Sequence, residues 1–438
     1  MKKSKVKIIG AGLAGSETAY YLASNGVTVE LFDIKPNSFT PAHKSQKLGE
    51  LVCSNSLKSN DIYGNACGLL KEEMRILGSL IIEAGDRTAV PAGGALAVNR
   101  EEFASYITGK ILSHPNIKFI SKEITEINAD DCDYLVIATG PLTTEKLFNA
   151  IKEITGGELS FFDASAPIVD FSSIDMQNAF FGDRYGRGNN DHVNCPMDKE
   201  TYELFVSELL KAKRADLHSF EDTTVFEGCM PVEIMASRGK DTLRFGPLKP
   251  VGLDDPKTGR WPYALLQLRR EDKEGSMYNL VGFQTNLLWG EQKRVFSIIP
   301  ALKNAEFLRY GVMHRNTFIK SPNCLNADFS MKENPKIYFA GQITGVEGYV
   351  ESAGSGLIVG INILNKIKEN GVGLISEKTV LGALSRYIAT ENKDFQPMNA
   401  NFGILPKGEV AMIRDKKEKK TKLANISLEL TKKYKETL

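Results

Sequence analysis

Residues 5–33 read KVKIIGAGLAGSETAYYLASNGVTVELFD, and the fold class can be inferred from their pattern. Lys5–Ile9 is a short run of β-type residues, a glycine-rich turn follows, and residues 16–24 are rich in helix formers. Residues 27–32 form a second apolar run that ends at an acid, Asp33. Strand, glycine turn, helix, strand and acid in this order predict a dinucleotide-binding unit with parallel strands.

The turn consists of Gly10, Ala11, Gly12, Leu13, Ala14 and Gly15, and we expect these residues to contact the dinucleotide. Gly10 permits the tight turn, Gly12 lets the backbone approach a pyrophosphate, and Gly15 lets the helix pack closely on the strand. The helix presents its positive N-terminus to the phosphates. Asp33, about 20 residues further on, is expected to accept hydrogen bonds from the ribose hydroxyls.

Later segments favour FAD over NAD as the dinucleotide. Residues 134–140 (YLVIATG) resemble the strand motif of flavoproteins with two dinucleotide folds. Residues 336–340 (KIYFA) predict a late strand, and residues 354–364 predict a helix that returns to the first domain. A simple NAD dehydrogenase does not need this return. The further expected cofactor contacts are Gly140, Gly341, Gln342 and Gly345.

The length of 438 residues predicts two domains, because one hydrophobic core usually serves no more than about 250–300 residues. We expect an α/β fold in which residues 1–164 and 311–438 form a discontinuous Rossmann-type FAD-binding domain. Residues 165–310 lack a glycine fingerprint and are rich in aromatics and arginines, which predicts an inserted α+β domain that faces the substrate. The basic run within residues 407–422 is interpreted as a solvated helix face or a frayed tail.

The net charge of +1 means that any nucleic acid must be bound through local basic patches and not through a global field. The chain contains no run of 18 apolar residues, so we expect no membrane span. Lys5, Lys7 and Glu17 interrupt what would otherwise resemble a secretory signal. A cytoplasmic location is the expectation.

Six cysteines occur without any CxxC pair, which is typical of free thiols in a reducing compartment and argues against a flavin disulfide reductase. Cys53 lies in the polar segment ELVCSNS, and Cys229 lies in the segment EGCMP between glycine and proline. Both are candidates for reactive thiols. The remaining four, Cys67, Cys132, Cys195 and Cys324, are interpreted as structural.

Long motifs throughout the chain resemble the bacterial folate- and FAD-dependent tRNA (uracil-5-)-methyltransferases, the TrmFO family. They include GAGLAG at 10–15, ELVCSNSLKS at 50–59, NACGLLKEEMR at 65–75, VPAGGALAVNREEF at 90–103, NCPM at 194–197, FEGCMPVE at 226–233, DTLRFGPLKPVGL at 241–253, GFQTNLLWGEQKRVF at 282–296, AGQITGVEGYVESAGSG at 340–356 and FQPMNANFGILP at 395–406. So many motifs in the same order are more specific than any one of them.

The resemblance implies methylation of uracil C5 at the T-loop uridine of tRNA, forming ribothymidine. The carbon would come from 5,10-methylenetetrahydrofolate, FAD would carry the redox chemistry, and NADPH or NADH would supply electrons. Cys229 would add to C6 of the uracil and Cys53 would act as general base or guard the flavin, although the reverse assignment stays open. Glu347 and Glu351 are candidates for flavin or folate contacts, or are ordinary acids at a helix start.

A target uracil must leave its base stack to reach a flavin, and aromatic side chains compensate by stacking on bases. The stacking candidates are Trp261, Tyr263, Phe283 and Trp289, and the phosphate-binding candidates are Arg244, Arg269, Arg270 and Arg294.

Leu48-Gly49, Ser237 and His192 depart from the family pattern near segments expected to face the substrate. A uracil of 23S rRNA is therefore the alternative substrate. A non-catalytic relative that binds FAD and RNA is the second alternative. We expect no obligate protein partner.

Overall fold

The computed structural model describes residues 4–40, 42–157, 159–186, 188–215, 230–311, 313–393 and 395–438. Within these residues the strands form four β-sheets, and the helices pack around two large hydrophobic cores. One core belongs to a parallel sheet built from both ends of the chain, and the other belongs to an antiparallel sheet from its middle.

The first sheet has five parallel strands, and its central strand is the one predicted to precede the glycine turn. Its strands are β1 (Lys5–Ile9), β2 (Thr28–Asp33), β6 (Ile117–Ser121), β7 (Tyr134–Ile137) and β16 (Ile337–Phe339), in the order β16-β7-β1-β2-β6. Strand β16 pairs with β7, so the late segment of the chain returns to the same sheet. This arrangement confirms the predicted Rossmann-type α/β class.

Helices of the terminal segments contribute buried residues to the same hydrophobic core as this sheet. They are α1 (Leu13–Ser24), α2 (Ala66–Leu77), α3 (Leu80–Arg87), α4 (Arg100–Leu112), α5 (Glu145–Thr155), α9 (Ser321–Cys324), α10 (Tyr349–Lys368), α11 (Val380–Ala389) and α12 (Lys416–Glu436). Helix α10 is the expected return helix, and it begins before residue 354 and ends after residue 364.

The second sheet is antiparallel, and all its strands lie between residues 168 and 309. They are β9 (Ile168–Asp170), β10 (Phe180–Phe181), β11 (His192–Met197), β12 (Ala264–Arg270), β13 (Met277–Leu280) and β14 (Phe307–Arg309), in the order β10-β11-β12-β13-β9-β14. Its helices are α6 (Lys199–Lys211), α7 (Val232–Ser237) and α8 (Trp289–Phe296). This position within residues 165–310 supports the predicted inserted domain, whose boundaries remain a prediction.

Two smaller sheets complete the fold. Strands β8 (Leu159–Ala164) and β15 (Met313–Phe318) pair antiparallel where the chain enters and leaves the second sheet. Strands β3 (Ser56–Ser59), β4 (Ala89–Val90) and β5 (Ala95–Val98) form a three-stranded sheet next to the segment that contains Cys53.

The basic C-terminal segment is helical and not a frayed tail. The Asp415 side chain accepts a hydrogen bond from the Glu418 amide and caps α12, as expected for an acid at a helix start. Leu423 and Ala424 of this helix are buried, whereas most of its lysines are exposed.

Two buried glutamates join helices in the first domain. Glu17 of α1 accepts hydrogen bonds from the amides of Leu80 and Ile81 at the start of α3. Glu73 of α2 accepts from the amides of Val380 and Leu381 at the start of α11. Burial raises the pKa of each carboxyl to about 7, against the hydrogen bonds that lower it.

None of the helices in the described segments is long and apolar enough to cross a lipid bilayer.

Candidate active site

The glycine turn after β1 has the geometry that its sequence predicts. Gly10 has a φ of 101°, and a Cβ at this position would lie 2.5 Å from the carbonyl oxygen of Ala138 in the neighbouring strand segment. A Cβ at Gly15 would lie 1.8 Å from the carbonyl oxygen of Gly10, so α1 packs directly on the turn. A Cβ added at Gly12 would have no neighbouring protein atom within 4 Å, so the backbone here faces open space.

The N-terminus of α1 is open to an anion. No side chain caps it, and its first turn contains no acid. The first amides of a helix have no partner within the helix and attract phosphate groups. Asp33 helps to hold the turn, because its carboxylate accepts hydrogen bonds from the amides of Ala11 (2.7 Å) and Lys35 (2.9 Å).

A groove runs along this turn, and ligand sites of proteins are typically concave in this way. Its lining includes residues 9–14, 32–35, 122–124 and 138–144, together with Thr40, His43, Gly49, Glu50, Val52, Leu147, Gly341, Gln342, Tyr349 and Ser352. Segments from the start, the middle and the end of the first domain therefore meet in one groove.

A second helix N-terminus reaches this groove from the late part of the chain. Helix α10 follows Gly348, which has a φ of 118° and provides no side-chain cap. A Cβ at Gly356 would lie 2.3 Å from the carbonyl oxygen of Ala14, so α10 packs closely on α1. Two uncapped helix starts and an exposed glycine backbone fit a dinucleotide with its two phosphates.

Most of the predicted cofactor residues line the groove, but four do not. The lining residues are Gly10, Ala11, Gly12, Leu13, Ala14, Asp33, Gly140, Gly341 and Gln342. Gly15 and Gly345 serve packing instead, and a Cβ at Gly345 would lie 2.5 Å from the ring of Phe395. Glu347 and Glu351 are buried and also do not line the groove.

Glu347 and Glu351 differ from ordinary acids at a helix start, because both are engaged within the protein. Glu347 accepts a hydrogen bond of 2.6 Å from the side chain of Gln342, which does line the groove. Glu351 accepts from the ammonium group of Lys58 (2.9 Å) and the amide of Ala400 (3.0 Å). The Glu351 ion pair therefore connects the start of α10 to the segment that follows Cys53.

The segment around Cys53 is held by cationic side chains beside the groove. Arg100 donates to the carbonyl oxygens of Leu51 (2.9 Å) and Cys53 (3.2 Å), and Arg309 donates to that of Val52 (2.5 Å). Val52 lines the groove. These bonds fix the backbone of the Cys53 segment at the edge of the groove.

Tyr349 links this segment to α10. Its hydroxyl oxygen accepts hydrogen bonds from the amides of Cys53 (2.7 Å) and Ser54 (3.2 Å). Burial raises the pKa of Tyr349 above its ordinary range, and the neighbouring Cys53 raises it further, so the phenol stays protonated. Arg269 fixes the next residues through hydrogen bonds to Ser54 (2.7 Å) and Asn55 (3.0 Å).

Among the five cysteines that the structure describes, only Cys53 is not buried. Burial raises the pKa of Cys67 to about 12 and that of Cys324 to about 11, and it also raises the pKa values of Cys132 and Cys195. These four thiols are therefore inert, in agreement with their structural interpretation. The second predicted reactive thiol, Cys229, lies outside the described residues.

Comparisons with known proteins agree with this geometry. Residues 5–371 match the family described as glucose inhibited division protein A, GIDA. The methylenetetrahydrofolate–tRNA-(uracil-5-)-methyltransferase TrmFO of Acetivibrio thermocellus is 54% identical over 98% of this chain and 98% of its own. The TrmFO of Staphylococcus carnosus is 52% identical over 100% of each chain. The chain belongs to the TrmFO family.

Solved structures show the fold that this TrmFO family member shares. Aquifex aeolicus GidA has a TM-score of 0.69 and 16% identity in one crystal form, covering 98% of this chain and 74% of its own. In a second form the TM-score is 0.70 at 15% identity, covering 100% and 78%. At such low identity the likeness concerns the fold and not the chemistry.

The structure corrects the RNA-facing set expected for a TrmFO family member. Phe283 is wholly buried in the core of the second sheet, so it cannot stack on a base. Tyr263 lies beneath the guanidinium of Arg244, at 3.7 Å from its ring centre. Trp261 and Trp289 are 55% and 61% exposed and remain accessible.

The predicted phosphate-binding arginines are mostly engaged in other contacts. Arg269 holds the Cys53 segment, and Arg270 donates to the hydroxyl of Tyr278. Arg294 pairs with Glu208 and Glu291 on the surface. The sequence alone does not show which arginines bond to other residues of the protein and which are free to bind phosphate.

The sequence did not indicate a site role for Arg100, Arg309, Tyr349 or Lys58. Tyr349 and Lys58 do lie within motifs of the family, and Arg100 lies in the motif VPAGGALAVNREEF. Their roles depend on contacts with Cys53 and Glu351 that are distant in sequence. Lys58 also has a φ of 62°, an uncommon conformation for a residue other than glycine.

Proposed function

We propose that this protein methylates C5 of the T-loop uridine in tRNA, with 5,10-methylenetetrahydrofolate as carbon donor, FAD as cofactor and NADPH or NADH as reductant. The observation that carries the proposal is identity of 52–54% over essentially the full length with proteins whose names state folate-dependent uracil-5-methylation of tRNA. The groove and the adjacent Cys53 segment support the same reaction, because they bring a dinucleotide site next to an accessible thiol.

FAD is the cofactor that the groove residues would hold. The open backbone at Gly12 and the first amides of α1 would bind its pyrophosphate, and Asp33 would face the ribose. Gln342 and the start of α10 would approach the other end of the cofactor. When bound, FAD supplies the redox chemistry by which the transferred one-carbon unit becomes a methyl group.

The protein thiols would activate the uracil. Its C5 is a weak nucleophile until a thiolate adds to C6, and an ordinary free thiol is only a few per cent ionised at neutral pH. We assign this addition to Cys229 and assign removal of the C5 proton to the sulfur of Cys53. The reverse assignment is the alternative. Arg100 and Arg309 donate to carbonyl oxygens of the Cys53 segment and would hold its backbone in place in either case.

A methyl-transfer assay tests the proposal. Purified protein receives FAD, NADPH and labelled 5,10-methylenetetrahydrofolate, with either an unmodified tRNA transcript or a 23S rRNA fragment. Label in ribothymidine of the tRNA T loop is the expected result. Label only in the rRNA would keep the chemistry and replace the substrate. No product with flavin bound would reject the proposed function.

Cysteine variants extend the test to the assigned residues. We expect Cys53→Ala and Cys229→Ala each to abolish most of the methyl transfer while flavin remains bound. Cys132→Ala is the matched control, because Cys132 is buried beside the start of β7 and does not line the groove. Full methyl transfer by Cys229→Ala would contradict its role as nucleophile.

A further inference from the structure

Four aromatic rings form a continuous column from the core of the second domain to its surface. The rings of Phe296 and Phe307 are 6.4 Å apart, and Phe307 stacks on Tyr310 at 5.5 Å with an interplanar angle of 8°. Tyr310 stacks on Trp289 at 5.6 Å with an angle of 13°. Phe296 is wholly buried, whereas Trp289 is 61% exposed, so the column ends in a large ring with an accessible face.

A buried amide fixes the column. The side chain of Gln292, which has no solvent exposure, accepts from the amide of Gly311 and donates to its carbonyl oxygen, each at 2.8 Å. It also donates to the carbonyl oxygen of Leu287 at 2.7 Å. These bonds hold the start of α8, which carries Trp289, against the segment that carries Tyr310. The exposed ring is therefore preorganised and would lose little conformational entropy on binding.

The surroundings of Trp289 are cationic. Lys293 is four residues further along α8 and so projects on the same side of the helix as Trp289. Leu288 donates to the carbonyl oxygen of Lys213, and Arg214 forms a β-bridge with Leu287. Among the described residues, the exposed cations of this surface are Lys211, Lys213, Arg214, Lys293 and Arg294, of which Lys211 and Arg294 pair with the acids Glu208 and Glu291. The excess positive charge is complementary to a phosphate backbone.

The column also lies next to the candidate active site. Arg309 donates to the carbonyl oxygen of Val52 in the Cys53 segment, and the next residue, Tyr310, stacks on Trp289. Consecutive Cα atoms are about 3.8 Å apart, so one short segment contacts both features. A nucleotide that enters the groove near Cys53 would bring its neighbours along this surface.

We propose that Trp289 is a stacking platform for an unpaired nucleobase of the RNA substrate, next to the target uracil, with the surrounding cations binding its phosphates. This inference rests on the proposed function for the identity of the RNA. The structure selects Trp289 among the aromatic candidates because its ring is both exposed and supported by other rings. Stacking is tolerant of base identity, so this contact positions the RNA and does not read its sequence.

Direct RNA binding tests the inference with the flavin-loaded protein and an unmodified tRNA transcript. Trp289→Ala should weaken binding by roughly ten- to a hundredfold, the range for loss of one stacked base, and Trp289→Phe should recover most of it. Phe245→Ala is the matched control, because Phe245 is an 83% exposed ring in the same domain and should leave binding unchanged.

A fluorescence measurement gives a second readout that does not need a truncated side chain. The chain has two tryptophans, so Trp261→Phe leaves Trp289 as the single indole, and Trp289→Phe leaves Trp261. The transcript should quench the emission of the Trp261→Phe protein and leave that of the Trp289→Phe protein nearly unchanged. Quenching confined to Trp261 would overturn the inference even if Trp289→Ala failed to fold.

The outcomes separate this inference from the proposed function. Wild-type affinity in Trp289→Ala, with ribothymidine still formed by the wild type, would overturn the stacking role alone. Weaker binding by the variant with no ribothymidine from the wild type would reject the reaction and keep the RNA contact. A change of oligomeric state in Trp289→Ala without any change of RNA affinity would identify a contact between copies of this chain and overturn the inference.

Discussion

Gly12 and Gly15 lie in one turn, yet an added methyl group should have different effects at the two positions. At Gly15 the new Cβ would lie 1.8 Å from the carbonyl oxygen of Gly10 and 3.3 Å from the Cβ of Ala138. At Gly12 it would meet no protein atom within 4 Å. The first substitution therefore perturbs the packing of α1 on β1, and the second perturbs only the groove.

The magnitude for Gly15→Ala follows from the overlap. Real Cβ atoms essentially never lie within 3.0 Å of another heavy atom, and the obstacle here is backbone, so α1 must move by about an ångström. Overpacking of this kind costs roughly 1–3 kcal/mol, and we expect the upper end because no side chain can rotate away. Alanine offsets at most about 1 kcal/mol through its better helix propensity. The expected net loss of stability is about 2 kcal/mol.

Gly12→Ala should leave the stability of the cofactor-free protein nearly unchanged. Gly12 has a φ of −73° and a ψ of −162°, an extended conformation that alanine adopts without strain. Its Cβ would project where the cofactor pyrophosphate has to approach the backbone. We expect FAD affinity to fall at least about tenfold, which corresponds to about 1.4 kcal/mol.

Thermal unfolding of the cofactor-free proteins and titration with FAD measure the two effects separately. Gly15→Ala should lower the unfolding temperature by several degrees, and Gly12→Ala should weaken FAD binding at an unchanged unfolding temperature. Wild-type FAD affinity in Gly12→Ala would contradict the expected approach of the pyrophosphate to this backbone. Wild-type stability in Gly15→Ala would mean that the 1.8 Å overlap has no energetic consequence.

Three further predictions concern buried polar groups. Burial raises the pKa of Glu73 from 4.5 to about 7, so between these pH values the folded state binds more protons than the unfolded state and the stability of the wild type should fall as pH rises. The stability of Glu73→Gln relative to the wild type should therefore increase by about 2 kcal/mol between pH 5.5 and 7.5. A stability difference that does not depend on pH would contradict this. Tyr349→Phe should reduce methyl transfer with flavin retained, because two amides of the Cys53 segment lose their hydrogen-bond acceptor. Tyr338→Phe is the control, since the buried Tyr338 hydroxyl has no hydrogen-bond partner in the described residues. Equal activity of the two variants would argue against a role of Tyr349 in positioning the Cys53 segment. Glu271→Gln should release Arg100 and lower methyl transfer, because the buried pair positions the Cys53 segment. Unchanged activity with intact flavin would exclude that role.

Local patterns in the sequence were sufficient for the first domain and its turn. The strand at Lys5–Ile9, the Gly10 turn and the second strand that ends at Asp33 lie where the sequence predicts them, because a βαβ unit is specified by residues close together in the chain. The late strand and helix were predicted for the same reason, although their bounds differ by a few residues.

Contacts between distant segments could not be predicted in the same way. The expected RNA-facing set contained Phe283, which is in the core, and Arg269, which holds the Cys53 segment. An aromatic or an arginine has the same letter in the sequence whether it is exposed or buried in a pair. Whether such a side chain is exposed or buried depends on how the two sheets and their helices pack.

By itself, the sequence determined the dinucleotide-binding unit, the family and the two thiols worth testing, because each depends on residue types in a local order. The tertiary structure alone decided that Arg100, Arg309 and Tyr349 converge on Cys53 and that Trp289 ends an exposed ring column. The contacts at Cys53 join segments that are far apart in the sequence, and Tyr349 lies 296 positions after Cys53. Their proximity depends on the tertiary packing of the chain around its hydrophobic cores, and no short stretch of sequence carries that information.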